Sequence, residues 1–493
     1  MSKPATHTAP TAGWRWDHSY SRLPDRLYAR VHPTPVRSPS LAILNRDLAD
    51  LLGLNASVLE HPENTDWFVG NVLPAGSDPM AQAYAGHQYG HLTNLGDGRA
   101  ILLGEHLTPH GNRVDIQLKG PGRTPFSRGG DGRAALGPML REYIVSEAMH
   151  ALGIPTTRSL AVAATGELVF REEPLPGAVL TRVAASHIRV GTFEWAAARD
   201  DRESLEALAN HTRHRHYPSL ADAENPHLAF LNVAVERQSE LVSRWLLVGF
   251  VHGVMNTDNM ALSGETIDYG PCAFMDAYDP GTVFSSIDHQ GRYAYAKQPR
   301  IAQWNLARFA ETLLPLLHPE ESKALDLANA AIDSFDDRFK QHWLAGMRAK
   351  LGLFNQETED HTLIEQLLDW MRKQKADFTN TFRQLSMGSS IPTETPVDPE
   401  FSVWHQRWQH RLSRQPQSLD QVLAQMRRHN PVVIPRNHQV EEALATATKH
   451  RDLALVHRLL KALSNPFDES PDNAEYRSPA PPSGGVYRTF CGT

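Results

Sequence analysis

Residues 252–272 of this 493-residue chain have the sequence HGVMNTDNMALSGETIDYGPC. A carboxylate and an amide stand side by side at Asp258 and Asn259, and a second carboxylate, Asp268, comes directly before a Tyr-Gly pair. Carboxylate and amide oxygens are hard ligands that suit Mg²⁺. The stretch therefore predicts a magnesium-nucleotide site.

Residues 1 to about 40 are rich in Pro and are predicted to be irregular, because Pro resists regular structure. Residues 40–60 are predicted to contain a short helix that Gly53 ends.

The segments between residue 80 and the quoted stretch predict a β-rich part followed by a helical part. Residues 100–105 (AILLGE) and 114–120 (VDIQLKG) are the clearest strands. Gly137-Pro138 opens a helix that runs to about residue 152, because Pro is tolerated at the first helical position and Gly marks a helix end. Residues 227–250 form a long apolar helix that leads directly into the quoted stretch. The fold class that this order predicts is α+β.

Lys119 is the last polar residue of the strand over 114–120. Side chains alternate along a strand, so Lys119 shares a face with Asp115 and Gln117 and is expected to point into a cleft. Glu142 lies on the helix that follows, where it can form an ion pair with Lys119. The alternative is a solvated Lys and a Glu on the helix surface.

Two glycine-rich loops provide candidate phosphate contacts. LGDGR (95–99) contains Gly96, Gly98 and Arg99, and SRGGDGR (127–133) contains Asp131 and Gly132 just before a helix. Glycine allows the backbone to approach a phosphate, and helix N-termini favour anions. The first loop is equally compatible with a plain hairpin turn.

Arg182 and Arg189 are seven residues apart, which is two helical turns. On one helix they would lie on one face and could hold an anion. Surface charge explains the pair equally well. A histidine-rich run, HTRHRH (211–216), is expected to be a solvated loop rather than a metal site.

A β-rich lobe, a helical lobe and a loop after a long helix together form the protein-kinase layout. The frame His252 to Asn259 fits the kinase catalytic loop, but the position of the catalytic Asp holds Val254. Asp258 is then the candidate base of this loop. A kinase and a nucleotide-binding pseudokinase scaffold remain alternatives to another nucleotide-dependent transferase.

Composition excludes several classes of protein. The net charge of -7 gives no reason to expect nucleic acid or an anionic membrane as a partner. No uninterrupted apolar run is long enough for a transmembrane helix, and the first residues lack the apolar core of a secretion signal, so a cytoplasmic location is expected. Two cysteines are too few for a disulfide framework.

Four stretches resemble the selenoprotein O (SelO) family, of which this chain is identified as a cysteine-containing member. They include GHQYGHLTNLGDGRAILLGE, a long segment that begins DIQLKGPGRTPFSRGGDGR, VLTRVAASHIRVGTFE, and the segment that contains residues 252–272. The resemblance implies a protein-kinase-like bilobal fold that binds ATP inverted in the cleft. It divides the chain into an N-terminal extension (1–79), an N-lobe (80–182), a C-lobe with the catalytic loop (183–385), a helical C-terminal region (386–463) and a flexible cysteine-containing tail (464–493).

The resemblance also implies a reaction, transfer of AMP from ATP to Ser, Thr or Tyr hydroxyls of proteins, with Mg²⁺ or else Mn²⁺ as cofactor. Redox-related proteins are candidate substrates, and the chain is expected to be monomeric. Asp258 becomes the proton acceptor, Asn259 and Asp268 the metal ligands, and Glu142 the partner of Lys119. The implied nucleotide-binding residues are Gly96, Gly98, Arg99, Lys119, Asp131, Gly132, Arg182 and Arg189.

The two cysteines suggest a redox hypothesis. Cys272 follows Asp268 by four positions, and Cys491 lies on a tail that could reach far. A disulfide between them would tie the tail over the active-site segment and make activity redox-dependent. The alternative is one buried cysteine and one free thiol on the tail.

Overall fold

The computed structural model describes residues 12–388, 398–481 and 487–489. Within them a β-rich part comes first and a helical part follows. The strands are β1 (Trp16–Asp17), β2 (Tyr28–Arg30), β3 (Ser40–Leu44), β4 (Met80–Gln82), β5 (Ala85–Gln88), β6 (His91–Asn94), β7 (Ala100–Leu107), β8 (Arg113–Lys119), β9 (Ala134–Ala135), β10 (Arg158–Phe170), β11 (Pro174–Ala184), β12 (Phe250–Val251) and β13 (Ala273–Phe274).

The helices cover most of the second half of the chain. They are α1 (Arg46–Leu52), α2 (Ala56–Leu59), α3 (Thr65–Val69), α4 (Leu136–Ala151), α5 (Val190–Ala197), α6 (Arg202–His216), α7 (Pro226–Leu247), α8 (Gln298–Leu317), α9 (Glu321–Asp333), α10 (Phe335–Lys350), α11 (Asp360–Gln374), α12 (Phe378–Leu385), α13 (Pro399–Leu412), α14 (Leu419–His429), α15 (Asn437–His450) and α16 (Ala454–Leu463). In the described part of the chain, no helix is both long and apolar enough to cross a bilayer.

The main sheet is antiparallel, with the order β2-β4-β7-β8-β11-β10-β3, and β1 and β9 add to β7 and β11. Leu118 of β8 lies opposite Ile101 of β7 and Thr181 of β11. Strands of the predicted extension (1–79) therefore pair with strands of the predicted N-lobe in one sheet.

Helices cover both faces of this sheet. Leu48 of α1 and Phe68 of α3 pack against one face, together with Ile116 and Leu118 of β8. The opposite face packs on α4, which is covered in turn by apolar side chains of α15 and α16. The C-terminal helices thus support the helix that carries Glu142.

The helical part has its own core around α7. Phe230, Val235 and Trp245 of α7 are buried with Phe250 and Phe309. α7 ends at Leu247, where Gly249 takes a left-handed φ of 74°, and the chain turns into β12 and the stretch quoted above. The polar loop is therefore held at the junction between sheet and helices.

Several predicted elements are confirmed and others are wrong. The strands over 100–105 and 114–120 and the helix after Gly137-Pro138 are present. Residues predicted as irregular before about 40 contain β1 and β2, and the helix predicted from about 40 begins only at Arg46 because residues 40–44 pair with β10. Such short strands carry too few residues to show an alternating pattern.

The histidine-rich run is also corrected. Residues 211–216 form the end of α6 rather than a solvated loop. Thr212 is fully buried, and burial lowers the pKa of His211 to about 4 and that of His216 to about 3. The run is polar in sequence but packs against the sheet, where Arg215 donates to Asp115 at 2.6 Å.

Candidate functional site

The polar face of β8 points into the junction, as the alternation of the strand predicts. Ile116 and Leu118 enter the core on the other face. On the polar face, Gln117 accepts a 3.1 Å hydrogen bond from Nε of Arg182, and Lys119 is only 6% exposed. This strand therefore delivers a buried cation to the site.

Lys119 lies between two carboxylates. Its Nζ is 2.6 Å from Oε2 of Glu142 and 3.2 Å from Oδ1 of Asp268. Glu142 is 2% exposed, so the alternative of a solvated Lys and a surface Glu is wrong. A buried ion pair of this kind is costly to break from one side, because the remaining charge has no partner.

Asp268 is the centre of the cluster. Beside Lys119, its carboxylate accepts from Nη1 of Arg182 at 2.6 Å and from Nη1 of Arg189 at 2.7 Å. Burial alone would raise the pKa of Asp268, but the charges of Arg182, Arg189 and Lys119 hold that pKa well below its usual value. Asp268 is thus a carboxylate that stays charged in a mostly buried place.

The backbone of Asp268 is also unusual. Its φ is +60°, in the left-handed region that residues other than Gly visit at a cost of about 1 kcal/mol or more. The hydrogen bond from Nε2 of His252 to the carbonyl of Ile267, at 2.9 Å, holds the preceding residue in place. The start of the loop and its metal-ligand candidate are therefore fixed to each other.

The two arginines reach Asp268 by a route that the sequence did not predict. Arg182 lies on β11 and Arg189 is the residue before α5, so they do not share a helix. Both are 2% exposed, which excludes the surface-charge explanation. The guanidinium of Arg189 also lies 4.5 Å from the ring centre of Tyr84, a cation–π distance.

Asp258 is buried beside this cluster. It is 7% exposed, its Oδ1 has no hydrogen-bond partner among the described residues, and burial raises its pKa to about 7. Nη1 of Arg189, which pairs with Asp268, also donates to the backbone carbonyl of Asp258 at 2.8 Å. Gly86 of β5 packs against the carboxylate so closely that an added Cβ would lie 2.2 Å from Oδ1.

Asn259 is oriented by its own loop. Its Nδ2 donates to the carbonyl of Val254 at 2.9 Å, which leaves the amide oxygen directed away from that bond. Val254 occupies the position where a kinase has its catalytic Asp, and it is 8% exposed. Val254 therefore supports the loop through its backbone carbonyl, and its apolar side chain has no group that could act as a base.

The structure also places the glycine-rich loops. Gly120, next to Lys119, donates to the carbonyl of Arg99 at 2.7 Å, so the first loop borders the buried cation. Gly96 has φ +75° and packs on Phe126, the residue directly before the second loop, where a Cβ would come within 2.3 Å of the ring. The hydroxyl of Ser127 in the second loop donates to the carbonyl of Gly98 in the first. The two loops are thus packed on each other.

Asp131 lies apart from the charged cluster. It is exposed and pairs with Arg171 at 2.9 Å. The backbone of Gly132 approaches Gly122 so closely that a Cβ would lie 2.0 Å from the Gly122 oxygen. Both residues therefore shape the outer loop, whereas Lys119, Arg182 and Arg189 form the interior.

Sequence reasoning gave no role to two residues of the site. Gln117 connects Arg182 to Asp97, to whose Oδ2 its amide donates at 3.2 Å. Glu194 of α5 accepts from Thr257 at 2.6 Å and lies 2.6 Å from Nδ1 of His87. The alternation of β8 was the available signal for Gln117, but nothing in the sequence connects Glu194 to the loop.

A magnesium site is compatible with the donors present. Among the described residues, no three His, Cys, Asp or Glu side chains meet in an arrangement that would hold a metal. Asn259 and Asp268 offer one amide oxygen and one charged carboxylate, both hard ligands, and Mg²⁺ commonly completes its shell with phosphate oxygens and water. The donor set fits a metal that arrives with a nucleotide.

Cys272 lies near this cluster, while Cys491 lies outside the described residues. Cys272 is fully buried, and Nη2 of Arg141 donates to its carbonyl at 2.8 Å. Nη1 of Arg141 reaches Glu441 of α15, also at 2.8 Å. Arg141 thus ties the helix that carries Glu142 to the segment after Asp268 and to the C-terminal helices.

Comparison with known proteins gives a consistent result. The sequence model of the family described as "Protein adenylyltransferase SelO" matches residues 11–464. A "Protein nucleotidyltransferase YdiU" of Syntrophotalea carbinolica is 60% identical over 491 residues, which is 100% of both chains. Proteins of the same name from Geobacillus kaustophilus (98% of this chain, 100% of the relative) and Halalkalibacterium halodurans (98% and 99%) are also 60% identical.

Proposed function

The chain belongs to the protein adenylyltransferase SelO family, and we propose that its Asp268 cluster binds ATP and Mg²⁺ for transfer of AMP to hydroxyl groups of protein substrates. Family membership makes the chain a nucleotidyltransferase. The observation that carries the assignment of the site is the meeting of three buried cations on Asp268, beside the buried Asp258.

The proposed fold is the protein-kinase-like bilobal one. The antiparallel sheet with α4 corresponds to the N-lobe, and the helices around α7 correspond to the C-lobe. A strand Lys that pairs with a helix Glu is how kinases position phosphates, and Lys119 and Glu142 supply that pair at 2.6 Å.

The cations would bind the phosphates. Arg182 and Arg189 are permanently charged and offer several N–H donors each, which suits phosphate oxygens. The packed loops with Gly96 and Gly132 would let backbone approach the nucleotide, and Arg99 and Asp131 would contact it at the outer side. The developing charge on pyrophosphate is then neutralised by groups that are already in place.

Asn259 and Asp268 would hold the metal. When bound there, Mg²⁺ neutralises phosphate charge and favours the departure of pyrophosphate. Asp268 would have to release its arginines to do so, and the phosphates would take over those guanidinium donors. The charged state of Asp268, enforced by its neighbours, keeps it ready for a cation.

Asp258 would accept the proton. The substrate hydroxyl attacks the α-phosphorus, the new P–O bond forms as the bond to pyrophosphate breaks, and the hydroxyl proton passes to Asp258. The raised pKa of about 7 suits a base at neutral pH. If the nucleotide is inverted relative to kinases, as in the family resemblance, no base is needed at Val254.

Labelled ATP tests the proposal. Wild type and Asp268→Ala are incubated with protein substrates and with ATP labelled at the α- or the γ-phosphate. Incorporated label is measured, and the masses of the products are determined by intact-protein mass spectrometry. Label from the α-position alone, with a gain of one AMP unit that Asp268→Ala loses, is the expected result. Label from the γ-position would instead identify a kinase, and bound ATP without transfer would identify a scaffold.

A further inference from the structure

A groove with positive charge opens beside the proposed catalytic loop. Its volume is about 720 Å³. We call it the Trp304 groove. It is lined by the β5–β6 hairpin (Tyr89, His91), by residues 287–290 with Arg292, and by Lys297, Arg300 and Trp304 at the N-terminal end of α8. None of these residues belongs to the Asp268 cluster, so the groove is a separate feature.

The cations of the groove are not neutralised by the protein. Among the described residues, no carboxylate lies within ion-pair distance of Arg292, Lys297 or Arg300. Asp288 also lines the groove, but it is 6% exposed and its two oxygens accept from the backbone N–H groups of Arg292 and Tyr293, both at 2.8 Å. The groove thus presents surplus positive charge on a chain whose net charge is -7.

The helix at the edge of the groove adds to this potential. Lys297 precedes α8 and Arg300 lies in its first turn, which contains no acidic residue. The N-terminal end of a helix already carries partial positive charge, so cations there increase the local potential instead of balancing it. Both side chains belong to exposed residues and can therefore reach a ligand.

Two aromatic side chains, Tyr89 and Trp304, line the groove. The guanidinium of Arg292 lies 5.0 Å from the ring centre of Trp304, and that of Arg308 lies 5.2 Å from it on the same helix. Ile287 at the rim is 53% exposed. Such a surface can bind the backbone and apolar side chains of a peptide while its cations select the charge.

The groove is connected to Asp258 through the hairpin and the loop. Asn256, two residues before Asp258, accepts from the backbone of Tyr89 at 3.2 Å and from the hydroxyl of Tyr293 at 2.6 Å. Gly86 touches the Asp258 carboxylate, and Tyr89 is three residues further along the hairpin. At about 3.3 Å per residue, the groove begins on the order of 10 Å from the proposed base.

We propose that the Trp304 groove binds an acidic stretch of the protein substrate, about three to six residues in extended conformation from the hydroxyl that receives AMP. The inference rests on the proposed function, since it assumes that this hydroxyl is presented to Asp258. It defines a substrate class for the enzyme, hydroxyl residues flanked by Asp or Glu.

Peptide kinetics test this assignment. Three peptides share one central Ser and differ in two residues about four positions away, which are Glu, Ala or Lys. With α-labelled ATP, wild type is expected to show a KM for the Glu peptide roughly five- to tenfold below that for the Ala peptide, as two exposed charge contacts allow. The kcat values should be similar, because the groove does not touch the reacting atoms.

Charge reversal supplies the matched comparison. Lys297→Glu/Arg300→Glu should raise the KM for the Glu peptide to that of the Ala peptide and lower the KM for the Lys peptide. Arg458→Glu/Lys461→Glu on α16 makes the same change in net charge at exposed positions outside the groove and should leave all three KM values unchanged. Equal KM values for the three peptides in wild type, or an equal effect of both double variants, would overturn the groove assignment.

A binding measurement separates this inference from the proposed function. Fluorescence polarisation of the labelled Glu peptide needs no ATP, so it tests the groove even if wild type transfers no AMP to any peptide. Wild type should bind the Glu peptide more tightly than the Lys297→Glu/Arg300→Glu variant does. Competition by polyadenylate but not by polyglutamate would point to nucleic acid and reject the peptide assignment.

Discussion

Replacing Asp268 by Asn should make the protein bind metal-free ATP more tightly, although it abolishes the metal site. In the unliganded protein the Asp268 carboxylate occupies donors of Lys119, Arg182 and Arg189, at 3.2, 2.6 and 2.7 Å. Phosphates that use the same donors must first displace it. A neutral Asn competes less for these cations, so less binding free energy is spent on displacing it and the variant should bind metal-free ATP more tightly.

The size of this gain follows from the bonds that are exchanged. A hydrogen bond to a charged group contributes about 1.5–3 kcal/mol net. In Asp268→Asn, ATP no longer has to break about one such bond between Asp268 and its cations, so the affinity for ATP rises by about 10- to 100-fold. In the presence of Mg²⁺ the order should reverse, because wild type alone offers a carboxylate to the metal.

Calorimetry with ATP in EDTA, and then with Mg²⁺, measures both effects. Asp78→Asn is the matched control, since it removes one carboxylate from an exposed pair with Arg30 outside the cluster. Without ATP, Asp268→Asn should also unfold at a lower temperature than wild type, because its buried cations lack a carboxylate partner. ATP should raise that temperature again, because its phosphates pair with the cations. Equal or weaker affinity of Asp268→Asn in EDTA would refute competition between Asp268 and phosphate.

Three further predictions concern single side chains. Asp258→Asn should lower kcat for AMP transfer by about 10²- to 10⁴-fold with little change in ATP affinity. The wild-type rate should rise with pH through about 7 as the Asp258 carboxylate ionises, and the rate of the variant should not. Arg141→Gln should reduce kcat while Arg141→Lys partly restores it, because Arg141 positions α4 through its bonds to the Cys272 carbonyl and to Glu441. Equal activity of Arg141→Gln and wild type would exclude that role. Lys350→Met should raise the thermal stability at pH 7. Burial lowers the pKa of Lys350 to about 7, whereas in the unfolded chain the Lys350 amine stays protonated up to about pH 10.5, so folding at pH 7 has to bury or discharge that amine. The gain in stability of Lys350→Met over wild type should be largest below pH 7 and vanish toward pH 10.5.

The sequence predicted the interior of the site better than its surroundings. Strand alternation alone placed Lys119 on the polar face of β8, and the Gly-Pro boundary placed Glu142 on a helix. Arg182 and Arg189 were paired for the wrong reason, because seven residues can also connect a strand to a helix N-terminus. Their convergence on Asp268 depends on how β11 and α5 pack, which no local pattern reports.

The elements around the site could not be predicted from local sequence patterns, because distant contacts decide their structure. β1 and β2 contain two and three residues, so their place in the sheet is decided by pairing with distant strands. The run over 211–216 is polar, but Arg215 reaches Asp115 on a strand 100 residues earlier. The disulfide between Cys272 and Cys491 stays a prediction, since Cys491 lies outside the described residues.

The charge balance of the cluster explains why metal and nucleotide should act together. Lys119, Arg182 and Arg189 face two carboxylates, Glu142 and Asp268, so the unliganded cluster is close to neutral and can remain buried. A triphosphate brings far more negative charge than the single surplus cation can offset. A divalent cation that draws Asp268 away from its arginines frees those donors for phosphate and adds positive charge itself. Because Asp268 holds the donors until then, nucleotide without metal should bind only weakly to the wild-type protein.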